Sequence, residues 1–115
     1  MNIWATWCGP CVLEMPTLAK LAAEYQGKPV AVVAVAMDGD READKARAFI
    51  TRNAPLAFYR DPKLKLPYAL KPPSAVMPTT VIYDKTGAEK GRIQGPADWS
   101  GKDAKAVIDK LLAEG

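Results

Sequence analysis

Residues 4–11 read Trp4-Ala5-Thr6-Trp7-Cys8-Gly9-Pro10-Cys11, so that two cysteines enclose a Gly-Pro turn. Residues 2–6, which lead into that turn, form a short segment rich in β-branched and aromatic residues, a composition typical of a strand. Beyond the turn, apolar residues recur at the spacing of a helix, at Cys11, Met15, Leu18, Leu21, Ala22 and Tyr25. The sequence therefore predicts a strand, a turn and then a helix that begins at the cysteine pair.

The two cysteines are the only ones in the chain, and two residues separate them. A disulfide that closes so short a loop adds little stability, because loop-closure stabilisation grows with loop length. Cys8 falls at the start of the predicted helix, where free backbone N–H groups and the helix dipole favour a thiolate. We expect Cys8 to attack a target disulfide, and Cys11, one turn further on and buried, to resolve the mixed disulfide.

Gly9 and Pro10 are expected to hold this pair ready for reaction. Gly9 permits the tight turn, and Pro10 fixes φ in the first helical turn, where its missing N–H costs no hydrogen bond. The chain contains no histidine. The oxidising influence of a neighbouring imidazolium is therefore absent, and we expect a reductant or a disulfide carrier.

A metal site is the main structural alternative for the cysteine pair. One Cys-x-x-Cys pair in a chain without histidine supplies only two of the four ligands that zinc requires. We therefore expect no metal at the pair and no cofactor. An inert buried pair is the second alternative, although packing does not explain a thiol at a helix start beside a Gly-Pro turn.

The rest of the chain alternates between strand and helix patterns. Residues 30–37 are an unbroken apolar run, typical of a central strand buried on both faces. Residues 41–52 have helical composition, with Asp40 as a candidate N-cap. The remaining patterns predict, in order, a short strand at 57–59, a helical turn within 61–70, a strand at 79–84, a tight turn at 84–87, a partner strand at 88–93 and a last helix over 104–112.

Composition narrows the classes of partner. A length of 115 residues with 49% hydrophobic and 25% charged residues fits one soluble domain. No apolar run approaches the ~18 residues that a membrane-spanning helix needs. The net charge is only +3, and the basic residues are dispersed among acidic ones, so nucleic acid is not expected as a partner.

Three blocks of sequence resemble the thioredoxin superfamily, specifically its TlpA- and ResA-like bacterial reductases. They are residues 4–11, Glu14-Met15-Pro16 and Met77-Pro78-Thr79-Thr80. The resemblance covers nearly the whole chain, from Asn2 to the last helix. It implies an α/β, thioredoxin-like fold, with a central mixed β-sheet flanked by helices, and a single domain over residues 1–115.

The resemblance also implies roles for residues outside the cysteine pair. The peptide bond before Pro78 is expected to be cis, with Pro78 beside the cysteines and Met77 offering its backbone to an extended substrate. Glu14 matches a glutamate that such reductases use near their cysteines, and burial would make it a proton relay for Cys11. A solvated Glu14 that merely favours the N-terminal half of the helix is the alternative.

Polar and aromatic residues near these blocks complete the predicted site. Asn2 stands six positions before the first cysteine, where ordinary thioredoxins carry an acid. Trp7 is expected at the rim, where it shields the site or contacts substrate, and Trp4 in the core. Trp99 is expected to make only a surface or helix-cap contact before the last helix.

The function implied by the resemblance is the reduction of protein disulfides outside the cytoplasm, in the periplasm. The substrates would belong to cytochrome c or copper-centre (cytochrome oxidase) assembly, and an upstream dithiol donor, expected to be membrane-embedded, would supply electrons. Family members usually carry an upstream N-terminal segment and a signal or anchor, and we expect both to be lacking from residues 1–115. The alternatives are a general thioredoxin-like reductant and a copper-binding assembly chaperone that uses Cys8 and Cys11 as soft ligands.

Overall fold

Five strands and four α-helices make up the computed structural model, which describes residues 1–74 and 76–114. In chain order they are β1 (Asn2–Trp4), α1 (Gly9–Glu24), β2 (Ala34–Ala36), α2 (Ala43–Thr51), β3 (Tyr59–Arg60), α3 (Lys65–Ala69), β4 (Thr79–Tyr83), β5 (Glu89–Gln94) and α4 (Lys102–Glu114). A 3₁₀ turn, Asp40–Glu42, precedes α2. None of the helices in the described ranges is long and apolar enough to cross a membrane.

The strands form one mixed sheet in the order β3-β2-β1-β4-β5. β2 runs parallel to both β1 and β3, whereas β4 runs antiparallel to β1 and to β5. The connections across the parallel pairs contain α1 and α2, as parallel pairing requires. The predicted class, a thioredoxin-like mixed sheet flanked by helices, is confirmed.

The predicted hairpin is also confirmed, and its turn has a clear local cause. Asp84 accepts backbone N–H bonds from Thr86 at 2.8 Å and Ala88 at 3.0 Å through Oδ1. Gly87 has φ +86°, a left-handed conformation that glycine adopts without steric cost. These contacts return the chain from β4 into β5.

The core centres on β1, whose three residues are all buried. Trp4 packs against Phe49 of α2 with ring centroids 5.3 Å apart. Two polar contacts connect the C-terminal end of α1 with α4. The hydroxyl of Tyr25, the C-cap residue, donates to Asp109 at 2.6 Å, and Lys105 pairs with Glu24 at 2.7 Å. The largest fully buried apolar side chains are Trp4, Ile3, Met15, Leu18, Ile50 and Val81.

The apolar run at residues 30–37 forms a shorter strand than predicted. Only Ala34–Ala36 is strand, and this strand lies inside the sheet between β3 and β1. The ladder between β1 and β2 starts with the Asn2 N–H donating to the Val33 C=O at 2.7 Å. Residues 30–33 lie outside this strand.

The prediction that Asp40 caps the second helix is wrong. Asp40 begins the 3₁₀ turn, and its exposed carboxylate pairs with Arg60 at 2.7 Å. The N-cap of α2 is Glu42, which makes no side-chain capping bond. The inserted 3₁₀ turn moves the helix start beyond the reach of Asp40.

The short strand and helix between residues 57 and 70 are displaced slightly from their predicted positions. β3 is Tyr59–Arg60 and α3 is Lys65–Ala69. Pro67 lies within the first turn of α3, where its missing N–H removes no helical bond. Asp61 Oδ2 instead accepts the N–H of Leu66 at 2.7 Å, which anchors the start of this helix.

Candidate active site

The two cysteines form a disulfide at the N-terminus of α1, and their Cα atoms are 5.3 Å apart. Cys8 is the N-cap residue, and its Sγ accepts the N–H of Cys11 at 3.3 Å. Pro10 lies in the first turn, where its missing N–H costs nothing. The predicted sequence of strand, turn and helix start at the cysteine pair is therefore what the structure contains.

The two sulfurs occupy different environments. Cys8 retains 8% exposure, whereas Cys11 is completely buried. Gly9 and Pro10 are exposed between them, and Trp7 is 64% exposed at the edge of the site. A reacting partner can therefore approach the pair from the side of Cys8.

Met77 and Pro78 lie at the same edge of the sheet as the cysteines. The Met77–Pro78 peptide bond is cis, as the resemblance implies, and Pro78 is buried directly before β4. In the antiparallel register Ile3 pairs with Thr79, so that Pro78 comes next to the end of β1, from which the chain continues to Cys8. Met77 is half-buried.

Glu14 is buried, with 3% exposure, so the solvated alternative for this residue is wrong. Its Oε1 accepts the Asn2 side-chain N–H at 2.9 Å, and its Oε2 accepts the Ala97 backbone N–H at 2.8 Å. Burial raises the pKa of this carboxyl, because desolvation disfavours the charged form. The hydrogen bond from Ala97, the Trp99 indole N–H and the bond from Asn2 oppose that rise.

The surroundings of Glu14 include residues that sequence reasoning missed or placed wrongly. Trp99 is 3% exposed, so the prediction of a surface contact is wrong. Its indole N–H lowers the pKa of Glu14, although it does not meet the geometry of a hydrogen bond. Its backbone N–H donates to the Thr17 hydroxyl at 3.1 Å. Ala97 is 83 positions from Glu14, and no sequence pattern indicates a contact through a backbone N–H.

The Asn2 side chain links β1 to one residue of α1 and to one residue of β4. Its Nδ2 donates to Glu14 and also to the Thr80 hydroxyl at 2.9 Å. Its position six residues before Cys8 was the available sequence signal. Its role as the direct partner of Glu14 depends on the packing of α1 over β1.

The side chains around the site suit thiol chemistry. Across residues 1–74 and 76–114, no three Cys, Asp, Glu or His side chains cluster in a way that could hold a metal ion. What the site brings together is a disulfide with one partly accessible sulfur and a buried carboxyl three positions beyond the second cysteine. Residues three apart on a helix share a face, so the carboxyl lies on the same side of α1 as Cys11.

Comparisons with known proteins agree with this geometry. The sequence matches the Redoxin family over residues 1–110. The chain is similar to the thiol-disulfide oxidoreductase ResA of Oceanobacillus iheyensis, with 35% identity over 96 residues, covering 83% of this chain and 48% of the relative. The chain thus spans about half the length of the curated relatives it matches.

Solved structures show the same likeness in three dimensions. A secreted thiol-disulfide isomerase from Corynebacterium glutamicum superposes with a TM-score of 0.83 at 28% identity, covering 97% of this chain and 68% of that one. An exposed lipoprotein thioredoxin from Streptococcus pneumoniae superposes with a TM-score of 0.73 at 26% identity, covering 99% and 82%.

Proposed function

This chain belongs to the Redoxin family as a TlpA- and ResA-like member of the thioredoxin superfamily, and we propose that it reduces protein disulfides through Cys8 and Cys11. The observation that carries the proposal is the asymmetry of the pair. Cys8 retains some exposure, and its Sγ accepts a backbone N–H at the start of α1, whereas Cys11 is completely enclosed. Attack and resolution require these two environments.

The proposed reaction begins from the dithiol form. The Cys8 thiolate attacks one sulfur of a target disulfide, which forms a mixed disulfide and releases the second target sulfur as a thiolate that takes up a proton. Cys11 then loses its proton and attacks the Cys8 sulfur. The Cys8–Cys11 disulfide forms, the first target sulfur leaves as a thiolate, and two electrons have passed to the target.

Glu14 is the proposed acceptor of the Cys11 proton. Its raised pKa lets the carboxyl hold a proton closer to neutral pH than an ordinary glutamate does. Its hydrogen bonds from Asn2 and Ala97 fix both carboxyl oxygens, so the group is oriented before the reaction begins. Once the disulfide has formed, the proton can leave to solvent or to the released target.

Trp7, Gly9, Pro10, Met77 and Pro78 are the proposed substrate-binding residues. Trp7, Gly9 and Pro10 are exposed around Cys8, and the cis-proline segment lies at the same sheet edge. An extended peptide that carries the target disulfide would lie across this edge, with backbone contacts to Met77.

We place this reaction outside the cytoplasm. Support comes from the secreted isomerase and the exposed lipoprotein thioredoxin that the chain resembles in structure. The resemblance to TlpA- and ResA-like reductases favours substrates in the assembly of c-type cytochromes or of the copper centre of cytochrome oxidase. An upstream dithiol donor would return the chain to its reduced form.

A trapping experiment tests the proposal. The Cys11→Ser variant should accumulate mixed disulfides through Cys8 because the resolving sulfur is absent, and mass spectrometry would identify the captured proteins. The matched control, Cys8→Ser, should capture none and should lose insulin reduction. Capture of many unrelated proteins would favour a general reductant over an assembly enzyme.

A metal measurement tests the copper alternative on the same proteins. The reductase proposal would be rejected if three results occurred together. Cys8→Ser would keep full disulfide reduction, the parent protein would contain stoichiometric copper, and both cysteine variants would lose that copper.

A further inference from the structure

A buried carboxylate lies at the same edge of the sheet as the cysteine pair, outside the residues assigned to the reaction so far. Asp38 follows the end of β2 and is completely buried. Its two carboxylate oxygens accept the backbone N–H of Thr6 at 3.1 and 3.2 Å, and Oδ2 also accepts the Thr6 hydroxyl. Thr6 stands two positions before Cys8, so the carboxylate holds the segment that leads directly to the attacking sulfur.

This contact takes a backbone N–H that would otherwise extend the sheet. β1 and β2 run parallel, with Trp4 opposite Ala36. Two residues further on, Thr6 would lie opposite Asp38 if both strands continued. Its N–H would then donate to the C=O of Met37, since N–H groups of β1 bond to the residue before their partner. The Asp38 side chain accepts this N–H instead and so occupies the acceptor position of the next ladder bond.

The segment between β1 and α1 is a tight turn. The Cys8 N–H donates to the Ala5 C=O at 3.1 Å, so Thr6 and Trp7 are the two central residues of the turn. Hydrogen bonds to a charged group are stronger than neutral ones, and a buried carboxylate is costly without its donors. The bonds between Thr6 and Asp38 therefore fix the turn to the end of β2.

We propose that Asp38 is a positioning residue for the cysteine pair, which holds the Ala5–Cys8 turn through Thr6 in the geometry that closes the disulfide. Cys11 is fixed within α1, whereas Cys8 lies at the junction of turn and helix. A fixed turn keeps the two sulfurs close in the dithiol form, so less conformational freedom is lost when the disulfide closes. The contact thereby favours disulfide formation and makes the dithiol a better reductant. The inference rests on the redox function proposed for the pair.

The test measures the equilibrium constant for disulfide formation, in which the protein dithiol gives two electrons and two protons to oxidised dithiothreitol. Thr6→Val removes the hydroxyl donor while keeping the shape of the side chain, and Thr6→Ser restores that donor. We expect Thr6→Val to lower the constant about fivefold or more, and Thr6→Ser to remain within about twofold of the parent. Asp38→Ala removes both acceptor oxygens and should lower the constant further.

The hairpin turn supplies a matched control. Asp84 Oδ1 accepts the N–H of Thr86 at 2.8 Å and also its hydroxyl, the same two donors that Asp38 receives from Thr6. This turn follows the end of β4, whereas the cis-proline edge lies before its start. Thr86→Val should change the constant by less than about twofold. A residue that only stabilises the fold stabilises the dithiol and disulfide forms equally, so its loss does not move the constant.

Three results would overturn the inference and leave the reductase proposal standing. The first is an unchanged constant in Thr6→Val and in Asp38→Ala, and the two Thr6 variants decide if Asp38→Ala does not fold. The second is a fall in Thr86→Val as large as that in Thr6→Val. The third is a Thr6→Ser value as low as that of Thr6→Val. A parent disulfide that exchanges with no dithiothreitol buffer would instead reject the reductase proposal and this inference with it.

Discussion

The Asn2 side chain donates a hydrogen bond to Glu14, with Nδ2 2.9 Å from Oε1, and both residues are buried. The first strand thus holds a carboxyl that lies one helical turn beyond Cys11. An amide supplies this bond without bringing a second negative charge into the site. The protonation of Glu14 therefore depends on its own burial and on its hydrogen bonds.

Replacing Asn2 with aspartate should destabilise the fold in a pH-dependent way. Two buried carboxyls at hydrogen-bond distance cannot both ionise cheaply, so the pKa of one rises strongly. A folded-state pKa above the unfolded value means that stability is lost as pH rises through it. We expect Asn2→Asp to cost roughly 2–4 kcal/mol at pH 8 and much less at pH 5, measured by urea unfolding.

Asn53→Asp is the matched control for that change. Asn53 is half-buried at the end of α2, where its side chain donates to the Phe49 C=O at 2.9 Å. The cost of this substitution should vary little between pH 5 and pH 8. Equal pH dependence in the two variants would contradict the coupling of Asn2 to Glu14.

Glu14→Gln should flatten the pH dependence of stability above pH 5. The pKa of Glu14 is raised in the folded state, so the parent is favoured below the unfolded value near 4.5 and loses that advantage as pH rises through the folded value. Glutamine carries no charge to desolvate. Urea unfolding between pH 4 and pH 9 should show the parent falling relative to Glu14→Gln as pH increases.

The same variant should slow the resolving step. Without the carboxyl, Cys11 loses its assigned proton acceptor, so the mixed disulfide through Cys8 should persist longer at neutral pH. Rapid-quench trapping would measure its lifetime, with an expected increase of about 10-fold or more that shrinks at high pH. A lifetime equal to that of the parent at every pH would remove Glu14 from the mechanism.

The Met1 amino group should give stability a slope of the opposite sign. Its pKa falls from 8.0 to about 6 on folding, so the unfolded chain binds more protons between these values and stability rises with pH. The gain from pH 6 to pH 8 should be roughly 2 kcal/mol. Chemical acetylation of the N-terminus should abolish this slope, as should any N-terminal extension.

Trp7→Ala should impair substrate turnover without unfolding the protein. The side chain is 64% exposed, so its removal should change the free energy of unfolding by only about 0.5 kcal/mol. If Trp7 contacts substrate, kcat/KM for a protein disulfide should fall several-fold, mainly through KM. Val107→Ala is the control, because Val107 is also an exposed apolar residue but lies in α4. This substitution should leave kcat/KM unchanged.

Trp4→Ala provides the contrasting case. Trp4 is completely buried and packs against Phe49, so truncation should cost about 3–5 kcal/mol through the cavity it leaves. A thermal scan would detect the loss. A small effect at Trp4 combined with a large one at Trp7 would reverse the core and rim assignments.

The sequence alone was sufficient to predict the features that short-range chemistry controls. The Cys8–Cys11 turn, the helix that follows it and the hairpin turn at residues 84–87 depend on neighbouring residues and on the conformational limits of glycine and proline. These features need no knowledge of distant contacts. The cis bond before Pro78, by contrast, was implied by the resemblance and not by local chemistry.

Tertiary structure decided the features that join distant parts of the chain. The partners of Glu14 include Ala97, 83 residues away, and the burial of Trp99 depends on the same approach. β2 covers only Ala34–Ala36 of the apolar run at residues 30–37, in register with Asn2–Trp4 of β1, and the apolar pattern does not encode that register. Periodicity reports which side of an element is apolar, but the position of each hydrogen-bond partner is set only when the elements pack.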